Sequence, residues 1–168
     1  MPTADEARCY EKLTTDDLRV IRDSALPELE RFLTTKEGKY GVYRDRLLGM
    51  CLCMDGAKHY QDGATGFKHL DVFFFFREHP SCKIPHQYNM RKSIVASAGN
   101  SGQKPFDLMK KQIPERYVVS EEPAESIRNY LKDSQTAVAR MLAKQPVIGL
   151  YPHGMLWTVI WSAELDID

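Results

Sequence analysis

The stretch Lys68-His69-Leu70-Asp71-Val72-Phe73-Phe74-Phe75-Phe76 places an acid just ahead of four consecutive phenylalanines. Neighbouring residues of a strand point to opposite faces, so such a run cannot divide a wet face from a dry one. It predicts a strand from Leu70 to Phe76 that is covered on both sides, the situation of a strand inside a sheet flanked by other layers. Asp71 stands at the beginning of that strand.

Working back from it, Gln61-Asp62-Gly63-Ala64-Thr65-Gly66 reads as a turn-rich loop. Gly49 to Met54 is apolar, carries Cys51 and Cys53, is bounded by Asp55-Gly56, and suits a second buried strand. Tyr43 to Leu48 reads as a short helical segment, and Thr34 to Lys39 as a connector. Thr14 to Leu33 is helical, because Leu18, Ile21, Ala25, Leu29 and Phe32 recur on one face. Thr14 with Asp17 resembles a capping box with Asp in place of Glu. Pro27 predicts a kink or two successive helices, with Ser24 a cap for the second.

Working forward, periodicity is lost from His79 to Gln103, where Pro80, Pro85, Gly99 and Gly102 punctuate a long excursion. Pro105 to Ile113 reads as a strand carrying Asp107, ended by Pro114 and Glu115. Pro123 to Lys144 is expected to be one helix, with Ile127, Leu131, Val138, Met141 and Leu142 on its apolar face. Val147 to Leu150 and Met155 to Trp161 form a closing hairpin around Tyr151-Pro152-His153-Gly154, and the acidic tail from Glu164 is expected to fray. The order predicts an α+β fold: a small mixed β-sheet flanked by helices. It divides a single domain into an N-terminal helical segment (1–38), core strands and a long loop (43–113), a helix (123–144) and closing strands (146–162).

With 168 residues, 43% apolar and 27% charged, the chain suits one globular unit able to bury a core without staples. Lys+Arg and Asp+Glu are equal at 23 each, which argues against bulk electrostatic binding to nucleic acid. The N-terminus is polar, and no apolar run approaches the roughly 20 residues that span a bilayer. No membrane association and reduced thiols in a cytoplasmic protein are therefore expected.

The chemistry-bearing residues are Gly56-Ala57 before a turn-rich spacer, Asp71 on one strand and Asp107 on a later one. Carboxylates on neighbouring strands beside a small-residue turn suit a divalent cation, Mg2+ or Mn2+, with a phosphate ligand. These segments resemble the nucleotidyltransferase-fold superfamily, and more narrowly a group of small microbial nucleotidyltransferase-like proteins. The matching stretches are Tyr43-Arg44-Asp45-Arg46-Leu47-Leu48, Gly56-Ala57-Lys58-His59-Tyr60, Lys68-His69-Leu70-Asp71-Val72 and Phe106-Asp107-Leu108-Met109. The helix from Ser126 to Ala143 and the ending Trp157-Thr158-Val159-Ile160-Trp161 also fit. The resemblance implies a core in which Asp71 and Asp107 are catalytic and hold the metal, with His69 as a third ligand. It implies that Gly56 and Ala57 approach the phosphates of a nucleotide and that Lys58 neutralises them. Two positions depart from the pattern: His69 stands where a carboxylate is expected, and Ala57 where a serine is expected.

Simpler readings stand beside these. Asp71 and Asp107 also fit hydrogen-bonded acids in a buried sheet, and His69 a structural histidine. His79, Cys82 and His86 suggest zinc, but their spacing is loose and a fourth ligand is not apparent. Arg91-Lys92, Lys104 and Lys110-Lys111 read either as a solvated surface or as a phosphate-binding rim. Asp55 and Asp62 could replace the missing acid, though turn chemistry explains both. Two classes of function fit: a metal-dependent transferase moving a nucleotidyl group to an unidentified acceptor, or a catalytically degenerate binding or regulatory module acting through a partner.

Overall fold

The structure is a computed structural model that describes residues 12–67, 70–84, 93–97 and 103–162, without the side chains of residues 35–37, 93–97 and 103–106. Its centre is a six-stranded mixed sheet. The strands are β1 (Leu47–Cys53), β2 (Leu70–Arg77), β3 (Ser93–Ser97), β4 (Gln103–Ile113), β5 (Val147–Tyr151) and β6 (Val159–Trp161), in the order β3-β4-β2-β1-β5-β6. β2 and β4 run parallel; every other neighbouring pair is antiparallel. Helices α1 (Thr15–Gly38), α2 (Met54–Asp62), α3 (Pro123–Asp133) and α4 (Ala137–Leu142) cover it. The α+β class with a mixed sheet is as the sequence predicts. Among the described residues, no helix is long and apolar enough to cross a membrane.

The phenylalanine run explains the layering. Phe74 and Phe76 enter one core cluster with Leu18, Ile21, Ala25 and Phe32 of α1. Phe73 and Phe75 enter the opposite cluster with Ile127, Tyr130 and Leu131 of α3, Leu142 of α4 and Trp161. All four rings are at most 4% exposed. Burying each stabilises the fold by about 1.5–3 kcal/mol. Polar pins tie the far end of β2 and β4. Arg77 pairs with Glu115, and Gln112 donates to the Tyr43 hydroxyl while accepting from the Ile84 amide.

α1 begins with the expected reciprocal capping box: the Thr14 amide donates to Asp17 Oδ2 at 2.8 Å, and the Asp17 amide to Thr14 Oγ1 at 3.2 Å. The helix then runs unbroken through Pro27, so no second helix starts at Ser24. Pro27 and Asp23, whose carbonyl loses its partner, are both exposed to water, while Ala25, Phe32 and Leu33 anchor the turns on either side in the core.

Several local expectations are corrected. The helical turn expected at Tyr43 to Leu48 lies earlier, as a 3-10 turn over Lys39–Tyr43, and β1 has begun by Leu47. Asp55-Gly56 is not a turn but the first turn of α2. α2 ends at Gly63, which adopts the left-handed conformation (φ 69°), and its amide bonds the His59 carbonyl at 2.7 Å. β3, placed at the edge beside β4, falls where the sequence shows no period. The single helix expected from Pro123 to Lys144 is two. Ser134 Oγ bonds Thr136, and Thr136 Oγ1 caps α4 by accepting from the Ala139 amide at 3.3 Å, letting Ala139 and Leu142 turn into the same cluster as α3. β5 and β6 form the closing hairpin, although β6 occupies only the end of the Met155 to Trp161 stretch. The tail from Glu164 lies outside the described residues.

Candidate functional site

One end of the sheet gathers the candidate residues. β1 ends there at Cys53, β2 starts there with Asp71, and β5 starts there just after Gln145. Asp71 is the register partner of Cys53 on one side and of Asp107 on the other. Partners in adjacent strands share a face, so both carboxylates project to the α3–α4 side, from strands about 4.8 Å apart. Asp107 is 3% exposed and Asp71 half-buried. Both take part in polar interactions, so neither is a free acid. Burial in a sheet interior makes two carboxylates side by side unfavourable unless cations or donors compensate.

Cys53 lies on the same row. Its thiol is pushed well above the ordinary range, first by burial and then by Cys51 and Asp71 beside it. It is therefore neutral at physiological pH and adds no charge to the pair. Burial likewise raises the Cys51 thiol.

The chain leaves Cys53 through Met54, held at φ 63°, directly into α2. Such a backbone costs a non-glycine residue about 1–2 kcal/mol and recurs at functional sites. Cys53 provides no side-chain cap, and the first amides of any helix lack intrahelical partners. The N-terminus of α2 is thus an electropositive end beside Asp71, with Asp55 in its first turn. Asp55 Oδ1 accepts from Gln145 Nε2 at 3.0 Å. Among the described residues, Gln145 Oε1 is the buried side-chain polar atom without a hydrogen-bond partner.

The remaining expected residues are placed as follows. Gly56 and Ala57 are buried in α2 rather than displayed on a turn. A Cβ on Gly56 would stand 2.6 Å from Leu70 Cδ2, so this glycine permits close helix–strand packing. Ala57 is fully buried in the α1-side cluster. Neither side chain position can meet a ligand there, and Ala57 is core. Lys58 is exposed on α2. Lys68 and His69 lie outside the described residues, as do His86 and Arg91-Lys92.

Among the described residues no group of three or more His, Cys, Asp or Glu could hold a metal ion. His79 Nδ1 instead accepts from the Ser81 amide at 3.1 Å, within a local turn. Asp62 is a turn residue too. It accepts from the Ala64 and Thr65 amides and the Thr65 hydroxyl, which lower its pKa to about 2. Lys110 lies 4.7 Å from the Phe32 ring centroid, and burial lowers the Lys111 pKa. Neither behaves as an ordinary solvated lysine.

Gln145 and Cys53 carried no sequence signal for this site: strand pairing sets Cys53 beside Asp71, and a tertiary hydrogen bond ties Gln145 to Asp55. No protein-family model, curated protein or solved structure matches the chain.

Proposed function

We propose that this is a nucleotidyltransferase-like protein that binds a nucleotide with a divalent metal through Asp71 and Asp107. The observation that carries the reading is the parallel register of β2 and β4, which sets the two acids side by side on one face. Two carboxylates suit Mg2+ or Mn2+, which retain several waters when protein ligands are few. His69, two residues before Asp71, would be a third ligand, one better suited to Mn2+ than to Mg2+. The α2 N-terminus supports a phosphate contact through backbone amides, in place of the side chains of Gly56 and Ala57. Lys58 would supply a neighbouring positive charge.

The corresponding reaction is attack by an acceptor hydroxyl on the α-phosphorus of a nucleoside triphosphate, with pyrophosphate leaving. A divalent cation supplies neutralisation of the charge developing on the phosphate. The paired acids hold and orient; Gln145 Oε1 offers an unused acceptor at the rim.

A second reading is favoured by His69 in place of an acid and by the buried Ala57: a nucleotide-binding or regulatory module without turnover, acting through a partner. Calorimetric titration of each nucleoside triphosphate with Mg2+ or Mn2+ tests both. Saturable, metal-dependent binding that is lost in Asp71→Asn and Asp107→Asn supports the site. Absence of such binding at millimolar ligand refutes it. Release of pyrophosphate from labelled nucleotide then separates the transferase from the module.

A further inference from the structure

α3, α4 and β6 line a depression of about 330 Å³ that is open to solvent and includes neither of the paired acids. That volume falls at the lower end of the roughly 300–1,000 Å³ typical of small-molecule sites. Its lining includes Lys132, Arg140 and Lys144, together with Ser134, Gln135 and Trp161, and contains no carboxylate. None of the three cations forms an ion pair among the described residues, although the chain as a whole has as many acids as bases. All three are exposed, so their charges are available to a ligand.

The cavity is also built rather than incidental. Its position follows from the break between α3 and α4, where the Ser134–Thr136 bond turns the chain. Trp161, 4% exposed, closes one wall, and its indole Nε1 donates to the Ala143 carbonyl at 2.9 Å, which fixes the ring. Three cations without an ion pair among the described residues, gathered on a concave surface, attract a polyanion, and the ordered indole of Trp161 lies beside whatever binds there.

We propose that this cavity binds the phosphate group of a small phosphorylated organic molecule. Arg140 supplies a planar, fork-shaped donor set suited to phosphate oxygens, and Lys132 and Lys144 supply point charges around it. Its lining includes neither Asp71 nor Asp107, and phosphate binding by these cations calls for no metal.

The test is a titration of the full chain, in EDTA at low salt, with AMP, inorganic phosphate and adenosine, followed by the Trp161 indole N–H resonance. Trp157→Phe assigns the signal, since the chain has two tryptophans. AMP is expected to shift the resonance saturably, and adenosine to leave it unmoved. Inorganic phosphate shifting it equally well would support the phosphate site and identify the inorganic ion as sufficient. Replacing the cations together (Lys132→Gln, Arg140→Gln, Lys144→Gln) is expected to weaken AMP by about tenfold or more. Asp71→Asn should leave this binding unchanged, so failure here is distinct from failure of the metal site. Adenosine binding as well as AMP, no shift at about 10 mM AMP, or a triple variant within about twofold of the parent would overturn the proposal.

Discussion

Replacing Gly56 by alanine distinguishes a glycine demanded by close packing from one merely tolerated in a helix, and the two predict opposite signs. Gly56 lies inside α2 at a negative φ, where alanine is the better helix former by about 1 kcal/mol. If nothing packed against this helical position, Gly56→Ala would therefore stabilise the protein by about that amount. The new Cβ would instead stand 2.6 Å from Leu70 Cδ2 and 3.5 Å from Leu52 Cδ1. Leu70 and Leu52 are both fully buried, so the methyl has nowhere to push them without disturbing the cluster under α1. Overpacking of this kind costs about 1–3 kcal/mol, which leaves a net loss of about 0–2 kcal/mol. The sharper measurement is the double-mutant cycle with Leu70→Ala. Alone, Leu70→Ala should cost about 2–5 kcal/mol by emptying its site. In the double variant the added methyl no longer meets Cδ2, so the combined loss should fall about 1–3 kcal/mol short of the sum. Urea unfolding followed by circular dichroism gives all four stabilities. A stabilising Gly56→Ala together with additivity within about 0.5 kcal/mol would refute the packing argument.

Two further outcomes follow from local hydrogen bonds. Thr14→Ala and Asp17→Ala each remove one arm of the α1 capping box, and each should lower unfolding free energy by about 0.5–2 kcal/mol, measured by denaturant titration; unchanged midpoints would sink the assignment. Asp62, whose folded pKa is depressed to about 2 by Thr65 and Ala64, contributes stability that is present above its unfolded pKa near 3.8 and is lost as pH falls towards 2. An NMR titration should show its carboxyl well below its ordinary value and rising towards it in Thr65→Val, whereas an ordinary midpoint in the parent protein would contradict the loop geometry.

How much of this was legible in the sequence depended on whether a residue's role was local. The phenylalanine run forces covered faces from covalent alternation alone, and Thr14 with Asp17 forms its box within one helical turn, so both read correctly. The carboxylate pair was legible as two acids on two strands. Its side-by-side setting depends on the parallel pairing of β2 with β4, which joins residues 36 positions apart in the chain and which no periodicity encodes. α2 was misread because Asp55-Gly56 has the composition of a turn. There the glycine answers to Leu70, a tertiary neighbour, and not to its own φ. The α3–α4 break was hidden for the opposite reason: its apolar spacing continues across Ser134, while the Ser134–Thr136 bonds that interrupt it leave no mark on hydrophobicity.

The phenylalanine run has a cost as well as a use. A strand with one polar face is locked in place, because sliding by one residue would turn its charges inward. Phe73 to Phe76 would look nearly the same to both clusters after such a slide, so these rings hold β2 tightly while saying little about where along its neighbours it should stop. The stop must come from the polar ends: Asp71 at the entrance, and Arg77 with Glu115 at the exit, helped on β4 by Gln112 between Tyr43 and Ile84. Asp71 is thus a positional marker before it is anything else, and the few bonds at the opposite end of the strand decide whether the two acids meet at all.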